Sequence, residues 1–192
     1  MKQIVFYTVL IMLFMITLCG VGQEVDNVQE AEAQWLENIL LQQNQAVNSQ
    51  DGILSNQAFI QQAGIDHSAN VFQTNTGNDP NLMIVSQCGI QQNAFFEQIG
   101  SGNMGFSLQT GEGNTIDSYL EGDNNYMAIY QSGHENRLQQ ELIGNNSSYF
   151  IMQHGINNQI IQTENDGSGR DYMIFQVGFD MNLIITNGNI YP

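Results

Sequence analysis

Every eleven residues this chain returns to one pattern, and a period of that kind restricts it to repeat architectures. The unit reads Gln-x-Gly-x-x-Asn-x-apolar-x-x-x. Gln98 is followed by Gly100 and Asn103, and Gln109 opens the next unit with Gly111, Asn114 and Ile116. Leu120 leads to Gly122, Asn125 and Met127; Gln131 leads to Gly133, Asn136 and Leu138. Leu142 leads to Gly144, Ser147 and Tyr149, and Gln153 to Gly155, Asn158 and Ile160. Upstream, Gln87 precedes Gly89, Gln92 and Ala94, and Gln62 precedes Gly64, His67 and Ala69. Downstream, Gln176 precedes Gly178, Met181 and Leu183. Two joints are irregular. Three extra residues sit between Gln73 and Gln87, around Asn75 to Pro80, and one sits between Glu164 and Gln176, around Asp166 to Gly169. Counted in this way, twelve units run from Asp51 to Asn187.

Eleven residues divide into one strand and one tight corner. Side chains alternate faces along a strand with period two. The Asn, the apolar residue, the one two further on and the next Gln therefore share a face, as in Asn125, Met127, Ile129 and Gln131. Glu97, Asp117, Glu141 and Asp171 fall between such positions and face outward. A helix is excluded on cost, since a glycine in each repeat would weaken it by about 1 kcal/mol relative to alanine. The predicted fold is all-β, a β-solenoid of about six two-strand coils, with corners at Gly64, Gly89, Gly100, Gly111, Gly122, Gly133, Gly144, Gly155 and Gly178.

Coils that stack place every second unit in register. One column then holds Gln62, Gln87, Gln109, Gln131, Gln153 and Gln176 without interruption. Its counterpart on the other strand is degenerate: Gln73, Gln98, Leu120, Leu142, Glu164 and Asn187. The corner columns run Asn56, Asn81, Asn103, Asn125, Ser147, Arg170 and His67, Gln92, Asn114, Asn136, Asn158, Met181. A buried amide without a partner costs about 1–3 kcal/mol. An identical amide one coil above and one below removes that cost, so the expected stacking ladder is a device for holding register. Arg170 and Glu164 fall at inward places beside the second irregular joint, where they either pair or leave the coil locally open; the open coil is the expectation, because unpaired buried charge is expensive.

The first 22 residues read as a signal peptide. Lys2 supplies the positive start, Ile4 to Leu18 the apolar run, and Gly20 and Gly22 the small residues before a cleavage site. The run is shorter than the roughly 20 residues that span a bilayer. Cys19 suggests lipidation, but Leu18 is a poor residue to precede a lipidated cysteine. Residues 23–50 lack the glycine corners and form an acidic, Gln-rich leader. Its stretch Gln34 to Leu41 is a candidate cap for the first coil or an export-targeting segment. Residues 51–192 are the repeat domain. Cys88 is the single cysteine beyond the signal segment, so no disulfide framework holds the fold, and it is expected to present an outward thiol. With three basic residues against nineteen acidic ones, a formal net charge of −16 argues against nucleic acid as a partner.

The repeat resembles the curlin repeat, the unit of curli amyloid subunits. Gln62-Ala63-Gly64-Ile65-Asp66-His67-Ser68-Ala69-Asn70-Val71-Phe72-Gln73 carries that signature with His67 in the Asn place, and Gln87 to Gln98 carries it with Gln92 there. Several later units replace its Ala by Ile, Met, Leu or Tyr. The resemblance implies a secreted subunit that polymerises head to tail into extracellular cell-surface fibres of an adhesive biofilm matrix. It also implies an outer-membrane curli export pore and a companion curlin subunit as partners. It does not separate a major from a minor, nucleating subunit.

The alternative is a monomeric secreted β-solenoid that serves as an adhesin or ligand-binding module. An enzyme is not expected: no Ser–His–acid or Cys–His set falls where this fold would bring it together. No cofactor or metal site is expected either, since the Gly-Gly-x-Gly-x-Asp pattern of calcium solenoids and the phosphate-binding glycine motifs are missing. The outward acids read as gatekeepers that slow assembly during transit, or simply as solubilising groups.

Overall fold

The computed structural model describes residues 55–165 and 168–187. The segments expected to be a signal peptide (1–22) and a leader (23–50) lie outside the described residues. Twelve strands follow one another: β1 (Gln57–Ile65), β2 (Ser68–Asn75), β3 (Leu82–Ile90), β4 (Asn93–Gly100), β5 (Met104–Glu112), β6 (Thr115–Glu121), β7 (Tyr126–His134), β8 (Arg137–Ile143), β9 (Ser148–Ile156), β10 (Gln159–Asn165), β11 (Asp171–Phe179) and β12 (Asn182–Asn187). Odd strands form one six-stranded parallel sheet in the order β1-β3-β5-β7-β9-β11. Even strands form a second, ordered β2-β4-β6-β8-β10-β12. The described residues form a β-solenoid of six coils, each one odd and one even strand.

Register follows the repeat. Gln87 pairs with Gln109, Gln109 with Gln131, and Gln131 with Gln153, each twenty-two residues on. The three extra residues are absorbed between coils one and two, where Gln62 pairs with Gln87. The single extra residue is absorbed between coils five and six, where Gln153 pairs with Gln176. Both irregularities sit in corners because a one-residue slip inside a strand would turn every inward side chain outward. At the first of them Asn75 Oδ1 accepts the Gly77 N–H and the Asp79 N–H donates to Ser101 Oγ, which seats the excursion on the coil above.

The inner faces meet in a narrow core. Met127, Ile129, Leu138, Leu142, Tyr149, Ile151 and Ile160 are fully buried, as the alternation requires. Coil three points the small residues Gly105, Ser107 and Ser118 inward beside Ile116 and Leu120. Gly105 lies against the Met83 thioether, so any Cβ there would displace it. The core is wetter in composition than the apolar pattern implies: Ser107, Ser118, Gln140 and Gln162 are buried in it. Ser118 Oγ donates to Gln140 Oε1 and Gln140 Nε2 to Gln162 Oε1, a short polar ladder that starts where the repeat allows any residue.

Outer faces differ between the sheets. Glu97, Asp117, Glu121 and Glu141 line the even sheet, whereas the odd sheet carries apolar side chains at its outward positions, of which Met173 and Phe175 are exposed, Phe150 and Met152 half-buried, and Phe106 and Leu108 buried. Cys88, on β3, is partly exposed and is engaged in a disulfide, which corrects the expectation of an outward thiol.

Each corner bends twice. Eight of the nine corner glycines have φ between 107 and 155, and on the odd strands the strand passes through the glycine before it turns. A Cβ on Gly64, Gly89, Gly100, Gly111, Gly122, Gly133 or Gly155 would overlap the carbonyl oxygen of the glycine one coil above. The second bend lies at the residue just before the Asn position, which adopts the left-handed conformation at Asp66, Gln91, Asn124, Glu135, Asn146, Asn157 and Asp180, and at Gly102, Gly113 and Gly169. Asn, Asp and Gly tolerate that conformation; Gln and Glu do so at a cost of about 1–2 kcal/mol. Gly133→Ala is therefore expected to lower stability by about 2 kcal/mol or more, while Glu135→Asn raises it by about 0.5–1 kcal/mol. Urea unfolding of the two variants beside the parent checks both signs.

Candidate functional site

The distinguishing feature is the set of amide columns, and the unbroken one is complete. Gln62 Nε2 donates to Gln87 Oε1 at 2.7 Å, Gln87 to Gln109 at 2.9 Å and Gln109 to Gln131 at 3.0 Å. Gln131 donates to Gln153 at 2.8 Å and Gln153 to Gln176 at 2.8 Å. The second Nε2 hydrogen crosses to the other sheet: Gln109 also donates to the carbonyls of Asn93 and Asn114, and Gln131 to those of Thr115 and Asn136. The column thus ties coil to coil and closes each corner. From Gln87 onward its members are almost wholly removed from solvent, while Gln62 is exposed at the end of the column.

Asparagine works differently. The expected amide-to-amide ladder is the lesser part of it, at Asn125 to Asn103, Asn136 to Asn114 and Asn158 to Asn136. The recurring bond runs from the backbone. Each Asn Oδ1 accepts the N–H of the equivalent residue one coil above: Asn81 accepts from Asn103, Asn103 from Asn125, Asn114 from Asn136 and Asn136 from Asn158. Its Nδ2 donates to a corner glycine carbonyl, Asn103 to Gly122, Asn114 to Gly133, Asn125 to Gly144, Asn136 to Gly155 and Asn158 to Gly178. The turn breaks strand pairing, and the short Asn side chain repairs both groups it leaves open.

Substitutions in the corner columns follow the same chemistry. His67 Nδ1 accepts the Gln92 N–H, which keeps the backbone cap, and in the Nε2–H tautomer Nε2 donates to the Ala63 carbonyl four residues back, as Asn114, Asn136 and Asn158 also do, but not to a glycine carbonyl above. Gln92 is one methylene too long, and its buried Oε1 has no partner. Ser147 Oγ accepts the Arg170 N–H. The degenerate column shows what happens when a ladder stops. Gln73 donates to Gln98, but Leu120 follows, and the buried Gln98 Nε2 is left without an acceptor.

Glu164 and Arg170 pair, contrary to the expectation of an open coil. Arg170 Nη1 donates to Glu164 Oε1 at 2.9 Å, and Glu164 has no exposed side-chain surface. The Tyr172 hydroxyl reaches the same oxygen and receives a bond from Asn187 Nδ2. Tyr172 stacks on Tyr149 at 6.0 Å between ring centroids. Burial raises the Glu164 pKa above the ordinary carboxylate value, against the opposing pull of Arg170 and the Tyr172 hydrogen bond.

Several outward acids have structural partners. Asp123 Oδ1 accepts the Ser101 N–H, and Asp180 Oδ1 accepts from Asn157 Nδ2. Glu112 sits under His134 at 3.6 Å, and Glu97 under Tyr119, so no acid is stacked on an acid at those places. On the outer face of the even sheet the Tyr119 hydroxyl donates to Glu121 Oε2 at 2.6 Å, and that bond pushes the phenol up to about 12. Among the described residues no three His, Cys, Asp or Glu side chains converge as metal ligands would.

Two tests follow from this wiring. Gln131→Leu strands the Gln109 donor and removes the partner of Gln153 Oε1, and is expected to cost about 2–5 kcal/mol. Gln98→Leu removes a donor that is already unsatisfied and breaks only the bond from the half-buried Gln73, so it is expected to cost about 1 kcal/mol or less. Equal losses in the denaturant midpoint would contradict the ladder account. The raised Glu164 pKa means the native state holds this proton more tightly than the unfolded chain. Its contribution to stability is therefore full below the unfolded pKa and is lost as pH rises through the folded pKa. Glu164→Gln is expected to flatten that part of the stability-versus-pH curve, measured by thermal unfolding from pH 4 to 8.

Set against known protein families, curated proteins and solved structures, the chain shows no match.

Proposed function

We propose that this chain is a secreted structural subunit that stacks end to end into extracellular fibres of the curlin type. The observation that carries the reading is the unbroken glutamine column, whose first member stands open at the N-terminal end with the pattern needed to continue. Each sheet ends in strands with one unpaired edge among the described residues, β1 and β2 below and β11 and β12 above. Such edges recruit further strands. Because the two ends differ, contact is head to tail and does not close, and the product is a filament. The inward-facing Ile60 is 46 % exposed at the bare end, apolar surface that another coil would bury.

On this reading the partners are further copies, a companion curlin subunit and an outer-membrane export pore, with no nucleic acid. Localisation is the cell-surface fibre, in an adhesive biofilm matrix. The chain is not an enzyme on this reading. A monomeric solenoid adhesin is the second reading, and one observation favours it: the last coil carries Arg170 and Met181 where asparagine should stand.

Incubation of the purified protein is expected to give thioflavin-positive fibres with a meridional spacing of about 4.8 Å. Acidification to about pH 5 or added salt is expected to speed their growth, since both weaken repulsion between chains of formal charge −16. Persistent monomer at high concentration would favour the adhesin. Growth rates flat in pH and salt would remove the gatekeeping role of the acids.

A further inference from the structure

We propose that the N-terminal end of the column is a docking surface for a solenoid whose last coil carries asparagine at both corner positions. A second copy of this chain fits that surface with two hydrogen bonds missing. The inference rests on the fibre reading and concerns which end chemistry makes the joint.

Within the column the corner acceptor points from the lower coil to the N–H above it. The wiring holds at every odd-strand corner: Asn56 caps Asn81, and the series continues through Asn103, Asn125 and Ser147 to Arg170. At the even-strand corners His67 caps Gln92, Asn114 caps Asn136, Asn136 caps Asn158 and Asn158 caps Met181. A coil arriving beneath the N-terminal end must therefore bring two acceptors, one for the N–H of Asn56 and one for that of His67.

The chain's own last coil brings neither. Arg170 has no acceptor atom, and its guanidinium is drawn inward to Glu164. Met181 offers only a thioether, a weak acceptor. The rest of a joint between identical copies is sound. Gln176 would lie under Gln62, with its Nε2 hydrogens directed as those of Gln109 and Gln131 are. Ile174 would lie under Ile60, and Tyr172 under the small Ala58. Backbone pairing and the glutamine column continue across such a joint, and only the corner caps fail. Asparagine at both positions completes it.

The test uses the purified protein in three forms: the parent, Met181→Asn, and Glu164→Gln/Arg170→Asn/Met181→Asn, in which the glutamine avoids stranding a buried carboxylate. The protein left in solution when fibre growth stops gives the critical concentration. Met181→Asn is expected to lower it about threefold to tenfold, one net hydrogen bond per joint. The triple variant lowers it further, and its fibre ends take up parent monomer faster than parent fibre ends do. The same critical concentration in all three, with fibres present, overturns this inference and leaves the fibre reading standing. No fibres from any form overturns both.

Discussion

A glutamine donates one hydrogen to the glutamine above and another across to the opposite sheet, and that bond pair is what lets a polar core exist here. Burying a row of primary amides in a column this narrow would be ruinous if each had to find its own partner. Parallel, in-register stacking makes each partner identical, so a single solution serves the whole column. The price is strictness, because a shift of one residue would break every amide bond and invert every face at once.

The two amides divide the work by length. Glutamine reaches a side chain one coil away and a carbonyl on the facing sheet. Asparagine, shorter by one methylene, is spent chiefly on the backbone that the corner has left unpaired. Exchanging them is not conservative, and Gln92 illustrates this: it occupies an asparagine place and its oxygen finds no donor. His67 succeeds in the same column because its two ring nitrogens are spaced to accept and donate as the shorter amide does.

Departures from the pattern gather toward the C-terminal coil. Arg170, Glu164, Tyr172 and Asn187 form a joined polar cluster there, in place of amides and aliphatics. Such a cluster is joined through Glu164 Oε1, leaves Glu164 Oε2 without a partner, and cannot be copied by a coil placed above it. A column whose lower end repeats the motif and whose upper end does not is polar in its chemistry as well as in its chain direction.

Much of this was legible in the sequence. The strand number, the coil count, the location of both insertions and the membership of each column all follow from an eleven-residue period, because strand faces alternate and stacked copies must coincide. Less legible were the left-handed residues before each Asn, although Asn, Asp and Gly recur there at Asp66, Gly102, Gly113, Asn124, Asn146, Asn157, Gly169 and Asp180. The unsatisfied Gln98 was readable too, since Leu120 follows it in register. By itself the sequence determined the period, and so the register and the inward face, since those depend only on spacing along the chain. Only the tertiary structure decided where each amide sends its hydrogens, that Glu164 and Arg170 meet, and that Ser118, Gln140 and Gln162 link inside the core. Those outcomes depend on distances between residues far apart in the chain, set by side-chain length and by what the opposite sheet places within reach.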